Sequence, residues 1–270
     1  MTAGPSGRDI SPPAGRAVIS GSPEFTTTGS GLPATVFAHG LAGSVSTTRP
    51  FGSGVRGSRT FLKFGGHGGS AAGATPWTYL ALADELRAVA DQVGATQALG
   101  VSMGAGALCS LVARTPLRFE RLVFVMPAVL DRQRTDDGLD RLLEMARHVD
   151  SGDLDSLTAL LLQGEPAAVR TEPAVHDWCR SQAAAMAGTS VSAVLRALPT
   201  AVPLTDRRVL AEVIAPALVI AQEQDPAHPV WVAERLAAAL PGARLEVMGP
   251  GGLLWRHRAR MRELVGGFLS

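Results

Sequence analysis

From Ala34 onward the chain alternates short apolar runs with longer segments whose apolar residues fall at helical spacing. This alternation constrains the fold more than any other feature. Residues 34–38, 60–64, 95–101, 121–126, 216–221 and 244–247 read as strands, and the run Arg-Leu-Val-Phe-Val-Met at 121–126 is strongly apolar. A run that short and that apolar suits a strand buried on both faces, because successive side chains point to opposite sides of a sheet. Between the runs, 78–93, 103–115, 230–240 and 255 to the end carry helical periodicity; 78–93 shows Leu80, Leu82, Leu86 and Val89 among charged residues. Strand followed by crossover helix predicts an α/β domain with a mostly parallel central sheet flanked by helices.

Two stretches depart from the alternation. Residues 1–33 are rich in Pro, Gly, Ser and Thr and read as a flexible segment, with one extended piece over 17–28. Residues 131–213 read as a string of helices without a strand, including 139–149, 154–162 and 190–197. The expected organisation is one domain over 34–270 with a helical insertion.

Composition narrows the partners. In 270 residues, 25 Lys and Arg balance 24 Asp and Glu, so there is no strong field to attract nucleic acid or an anionic membrane. No run approaches the ~18 apolar residues of a membrane span, and the start lacks the charged and apolar regions of a secretion signal. A cytoplasmic protein acting on a small molecule is expected. Cys109 and Cys179 lie far apart without metal-ligand spacing and read as small buried residues. The sequence carries no reading of oligomeric state.

The sharpest chemical signal is Gly100-Val101-Ser102-Met103-Gly104, placed between a predicted strand and a predicted helix. A serine on a tight strand-to-helix turn needs small neighbours, because larger ones would collide with adjacent backbone. The helix that follows aims its free N-terminal amides at the same spot, where they can stabilise an oxyanion.

From about Ala34 to the C-terminus the chain resembles the α/β-hydrolase family, in its serine esterase and lipase-like branch. Residues 36–44 (VFAHGLAGS) are similar to the family's strand and His-Gly oxyanion loop, and 64–70 (FGGHGGS) to its glycine-rich turn. The resemblance implies that the backbone amides of Leu41 and Met103 form the oxyanion hole and that Ser102 is the nucleophile. It also implies that Asp225, closing 216–225 (PALVIAQEQD), is the triad acid, and that the helical insertion is a lid. Dehalogenase and epoxide-hydrolase branches place aspartate at the elbow, and Ser102 argues against both. No metal or organic cofactor is implied.

The base is the departure from the pattern. The family carries its histidine in the loop after the last strand, and here that loop reads Gly249-Pro250-Gly251-Gly252-Leu253. His257 is the nearest histidine and is expected to complete the triad in the order Ser102, Asp225, His257. Were it inside the terminal helix, five residues at ~1.5 Å rise would displace it by roughly 7 Å, so this expectation needs a longer loop. His228, three residues after Asp225 and just before Pro229, is the other contender. His39 and His67 read as loop-fixing residues, whereas His148 and His176 fall in the insertion.

Two functions follow. One is a serine hydrolase that cleaves a carboxylic ester, thioester or lactone with an apolar acyl or alkyl part, through an acyl-enzyme on Ser102. The other, motivated by Gly251-Gly252 where histidine is expected, is a catalytically degenerate relative that binds a small apolar ligand or promotes a non-hydrolytic reaction.

Overall fold

A computed structural model describes residues 23–67, 70, 77–134 and 136–270. The flexible character expected of the first residues lies outside the described residues up to 22. Its extended piece survives from Glu24, and the glycine-rich turn at 64–70 is described except for 68 and 69.

Among the described residues seven strands form one sheet: β1 (Glu24–Thr28), β2 (Ala34–Ala38), β3 (Ser58–Lys63), β4 (Gln97–Val101), β5 (Arg121–Val125), β6 (Ala217–Gln222) and β7 (Ala243–Met248). Their spatial order is β1-β3-β2-β4-β5-β6-β7. Six run parallel. Only β1 is antiparallel, pairing with β3 from Glu24 opposite Lys63 to Thr28 opposite Arg59. Glu24 and Lys63 also form an ion pair at 3.2 Å.

The strand sequences show why they settle in the middle. In β5, Leu122 and Phe124 point into one apolar layer while Val123 and Val125 point into the other. In β6, Ala217, Val219 and Ala221 face the first layer, and Leu218 and Ile220 the second. A strand covered on both faces has no position for a polar residue, which is why these runs do not alternate.

The first layer is covered by α2 (Tyr79–Gln92), α3 (Met103–Arg114) and α8 (Val230–Ala239), the second by α9 (Arg258–Phe268). A short helix α1 (Val45–Thr48) follows the loop after β2. Helix α2 begins at Thr78, whose hydroxyl accepts the N–H of Ala81 at 3.1 Å and so satisfies one of the free N-terminal donors. Leu82, Ala83, Leu86, Val89 and Ala90 form its buried stripe. Leu80, expected on that stripe, is 52% exposed, because at about 100° per residue it lies about 200° round the helix from Leu82, on the opposite face.

Between β5 and β6 the chain leaves the sheet to form α4 (Gly138–Ser151), α5 (Leu154–Gly164), α6 (Pro173–Met186) and α7 (Val191–Ala197). These helices build an apolar cluster of their own, including Met145, Val149, Leu157, Leu160, Met186 and Leu195. At the C-terminus, helix is expected from about 255 but α9 begins only at Arg258. Gly251 and Gly252, with φ of 147° and 82°, turn the chain through an irregular π-type turn over Gly252–Arg256 first. Among the described residues no helix is long and apolar enough to cross a membrane.

The central layer should dominate stability. Phe124→Ala, at a site with no exposure, is expected to lower unfolding free energy by about 3–5 kcal/mol through lost transfer energy and a residual cavity. Leu117→Ala, at a residue 73% exposed, should shift it by no more than ~0.5 kcal/mol. Urea unfolding of the two variants beside the parent checks both.

Candidate active site

Among the described residues, four other than glycine have a positive φ: Ala42 (57°), Ser102 (51°), Met126 (47°) and Gln224 (57°). Each stands just beyond the C-terminal end of a parallel strand, respectively β2, β4, β5 and β6. This edge of an open α/β sheet is where such folds place their ligands. Strain of this kind, of order 1–3 kcal/mol per residue, persists only where the surroundings impose it. Here backbone bonds impose it: Ser102 N–H donates to Val125 O at 2.9 Å and Met126 N–H to Ile220 O at 2.7 Å.

Ser102 ends β4 and precedes α3, with φ 51° and ψ −110°. The turn can be this tight because its flanks lack side chains. A Cβ on Gly104 would lie 2.3 Å from Ala38 O, and one on Gly100 would lie 2.4 Å from Gly104 O. The loop after β2 passes beside the serine, so that a Cβ on Gly40 would be 3.3 Å from Ser102 Cβ. Leu41 and Ala42 in that loop pack against the apolar cluster of the inserted helices. Met103 is the first residue of α3, so its N–H belongs to the amides that have no partner within the helix.

Ser102 Oγ lies 2.9 Å from Nε2 of His228, whose Nδ1 lies 2.9 Å from Oδ2 of Asp225. With Asp225 ionised, Nδ1 is the donating nitrogen and Nε2 accepts the serine hydroxyl. Asp225 does two things at once. Its Oδ2 holds the imidazole, and its Oδ1 accepts the N–H groups of Ala227 and His228 at 2.9 and 3.2 Å, closing an Asx-type turn across Pro226. Burial alone would push its carboxyl up, but the adjacent His228 and the two backbone donors outweigh burial and hold it below the ordinary carboxylate range.

His257, expected as the base, is elsewhere. The loop before α9 is long enough to reposition it, yet its Nε2 lies 2.9 Å from the carbonyl of Gly249, folding the ring back onto the glycine-rich loop. His257 also supplies the first carbonyl of α9, accepting Met261 N–H at 2.8 Å. The structure thus brings together Ser102, Asp225 and His228 and leaves His257 out. His228 could have been found from the sequence by asking what Asp-Pro does locally: it nucleates a turn, and a residue three positions on comes back beside the carboxylate.

Two of the remaining histidines, His39 and His67, hold loops, whereas His148 lies on α4 and His176 on α6. His39 is fully buried; its Nδ1–H donates to Gly40 O at 2.8 Å and its Nε2 accepts Phe64 N–H at 3.1 Å, tying the loop after β2 to the end of β3. His67, also buried, bonds through Nδ1 to Gly65 O at 3.0 Å. His148 sits near Glu144 and Asp153 on α4.

No protein-family model matches this sequence, and no curated protein matches it. Solved structures do. A 2-hydroxy-6-oxo-6-phenylhexa-2,4-dienoate hydrolase from Rhodococcus sp. strain RHA1 superposes with TM-score 0.76 at 18% identity, over 92% of this chain and 95% of that one. An enol-lactonase from Burkholderia xenovorans LB400 gives 0.74 at 21% identity, over 94% and 99%. An esterase from Exiguobacterium antarcticum gives 0.73 at 21% identity, over 92% and 96%. The chain has the α/β-hydrolase fold.

His39 sets a pH dependence of stability. Burial, reinforced by neighbouring His67, lowers its pKa from 6.5 to about 3. Below pH 6.5 the unfolded chain binds a proton at this ring that the folded chain refuses until about pH 3. Stability is therefore complete above that range and falls as pH drops through it, by at most ~1.4 kcal/mol per pH unit from this group. Urea unfolding between about pH 4.5 and 8 should show this slope, and His39→Gln should reduce it by about one proton.

Proposed function

We propose that this chain is a serine hydrolase that cleaves a small carboxylic ester, thioester or lactone through an acyl-enzyme on Ser102. The observation that carries this reading is the unbroken relay from Ser102 Oγ through both nitrogens of His228 to Asp225, each step 2.9 Å long. A nucleophile within hydrogen-bond reach of a base whose tautomer is fixed by an acid is what acyl transfer requires.

Ser102 Oγ attacks the substrate carbonyl carbon as its proton passes to His228 Nε2. Asp225 stabilises the imidazolium, and the amides of Leu41 and Met103 receive the oxyanion. His228 then returns the proton to the departing alcohol or thiol, or to the ring-opened oxygen of a lactone. Water, deprotonated by the same nitrogen, releases the acid from Ser102. The neighbours described above are supporting analogies at fold level: one is an esterase, one an enol-lactonase and one a hydrolase.

The inserted helices serve as the lid. Their apolar cluster meets Leu41 and Ala42, and a narrow gap lined by Ala42, Ser44, Met186, Thr189 and Val191 separates them from the oxyanion loop. These surroundings favour an apolar acyl or alkyl part on the substrate. A cytoplasmic setting fits Cys109 and Cys179, both buried and free. The degenerate-binder alternative drew on the glycines after β7; with His228 beside Ser102 that ground lapses.

Turnover of a short-chain nitrophenyl ester by the parent, Ser102→Ala, His228→Ala and His257→Ala tests the reading. Ser102→Ala and His228→Ala should each lose at least about 10⁴-fold in kcat. His257→Ala should stay within a few-fold. Full turnover by Ser102→Ala overturns the acyl-enzyme, and a His257→Ala loss as deep as that expected for His228→Ala returns the base to the C-terminal loop.

A further inference from the structure

Arg134 lies in the connection between β5 and α4, with its side chain only 8% exposed. One edge of its guanidinium meets the Asp136 carboxylate, Nε to Oδ1 at 2.9 Å and Nη2 to Oδ2 at 3.1 Å. The other faces the turn that carries the relay. Nη1 donates to Ala227 O at 2.9 Å and Nη2 to Pro226 O at 3.3 Å. Those two carbonyls belong to the only residues between Asp225 and His228.

The arginine is itself firmly rooted. Asp136 Oδ1 accepts the N–H of Gly138, the first residue of α4. Gln133 Nε2 donates to Thr200 O at 2.7 Å. Asp131 pairs with Arg207 at 2.8 Å and with Arg235 of α8 at 3.0 Å. Asp131, Gln133, Arg134 and Asp136 therefore form a strap that grips the turn from outside and, through Arg235, the helix that follows it.

We propose that Arg134 is a positioning residue that sets the orientation of the Asp225–His228 turn against Ser102, an inference that rests on the serine-hydrolase reading of this site. The need for it follows from chain spacing. In this molecule acid and base stand three residues apart on one turn, so a single rotation of that turn moves both away from the nucleophile. The bonds from Asp225 Oδ1 to Ala227 and His228 define the inside of the turn, but they move with it. An external fork that bonds the Pro226 and Ala227 carbonyls fixes its direction. Lysine cannot replace it, since a single ammonium cannot span the Asp136 carboxylate and both carbonyls in the same geometry.

The test uses Arg134→Ala and Arg134→Lys in the full chain. A misplacement near 1 Å costs up to about 100-fold in rate, so kcat of Arg134→Ala should fall by about that factor with KM within about twofold of the parent. Arg134→Lys should recover little of it. Added guanidinium salt should partly restore Arg134→Ala and leave Ser102→Ala inactive. A readout independent of turnover is the low-field Nδ1–H proton resonance of His228, expected in the parent and exchange-broadened in Arg134→Ala. The proposal is overturned if Arg134→Ala, with parental circular dichroism, keeps both its kcat and that resonance. If Arg134→Ala does not fold, Arg134→Lys is judged by the same two readouts. A parent with no ester turnover, in which the resonance is still lost on substitution, would sink the hydrolase reading and leave the positioning role standing.

Discussion

The Asp225 carboxylate is the interaction on which the site depends. One oxygen closes the turn by accepting two backbone N–H groups, and the other orients the imidazole that faces Ser102. A carboxylate in this double role has little freedom left. Its ionised form is favoured by the same donors that fix its position, so geometry and protonation state are set together. Pro226 and Pro229 bracket the turn and limit the backbone conformations open to the residues before them, Asp225 and His228.

Asp225 and His228 stand in one turn beside Ser102, and the loop after β7 has other attachments. Trp255 Nε1 donates to Glu165 Oε2 at 2.7 Å, and its ring meets Trp178 edge-on at 5.9 Å. Arg256 donates to Ala168 O at 2.6 Å. All three partners belong to the inserted helices or the segments joining them. His257 completes the rearrangement by bonding Gly249 O within the loop. The region that supplies a base in the family this chain resembles here ties the inserted helices to the C-terminal end of the sheet.

Much of the fold was legible because it rests on periodicity. Leu122, Val123, Phe124 and Val125 declare a strand with two covered faces, and Leu82, Leu86 and Val89 declare a helix with one. Ser102 was legible for a different reason: the glycines around it answer to contacts of 2.3 to 2.4 Å that any side chain would make, so the motif records a steric requirement. Asp225 was singled out by the resemblance of 216–225 to a family segment, and it stands three residues beyond the end of β6. The partner of Ser102 was harder, since expectation followed chain order in a resembling family, whereas the residues themselves follow local turn chemistry. Leu80 shows the same limit on a smaller scale: apolar character alone does not put a residue on the buried stripe. Arg134 was illegible altogether. Its role is defined by two carbonyls 92 and 93 residues away, and backbone acceptors leave no mark in a sequence.

The strap and the C-terminal loop both bond the inserted helices or the segments joining them. One attachment is ionic and reaches the turn carrying the acid and base; the other is a tryptophan hydrogen bond with an aromatic contact. Burial raises the pKa of Glu165, outweighing the Trp255 N–H, which favours its charged form. The Arg134–Asp136 fork joins opposite charges by two parallel bonds while the guanidinium still bonds the turn. The two attachments thus differ in reach: the fork bonds the turn that carries Asp225 and His228, whereas the Trp255 contact stops at the inserted segment.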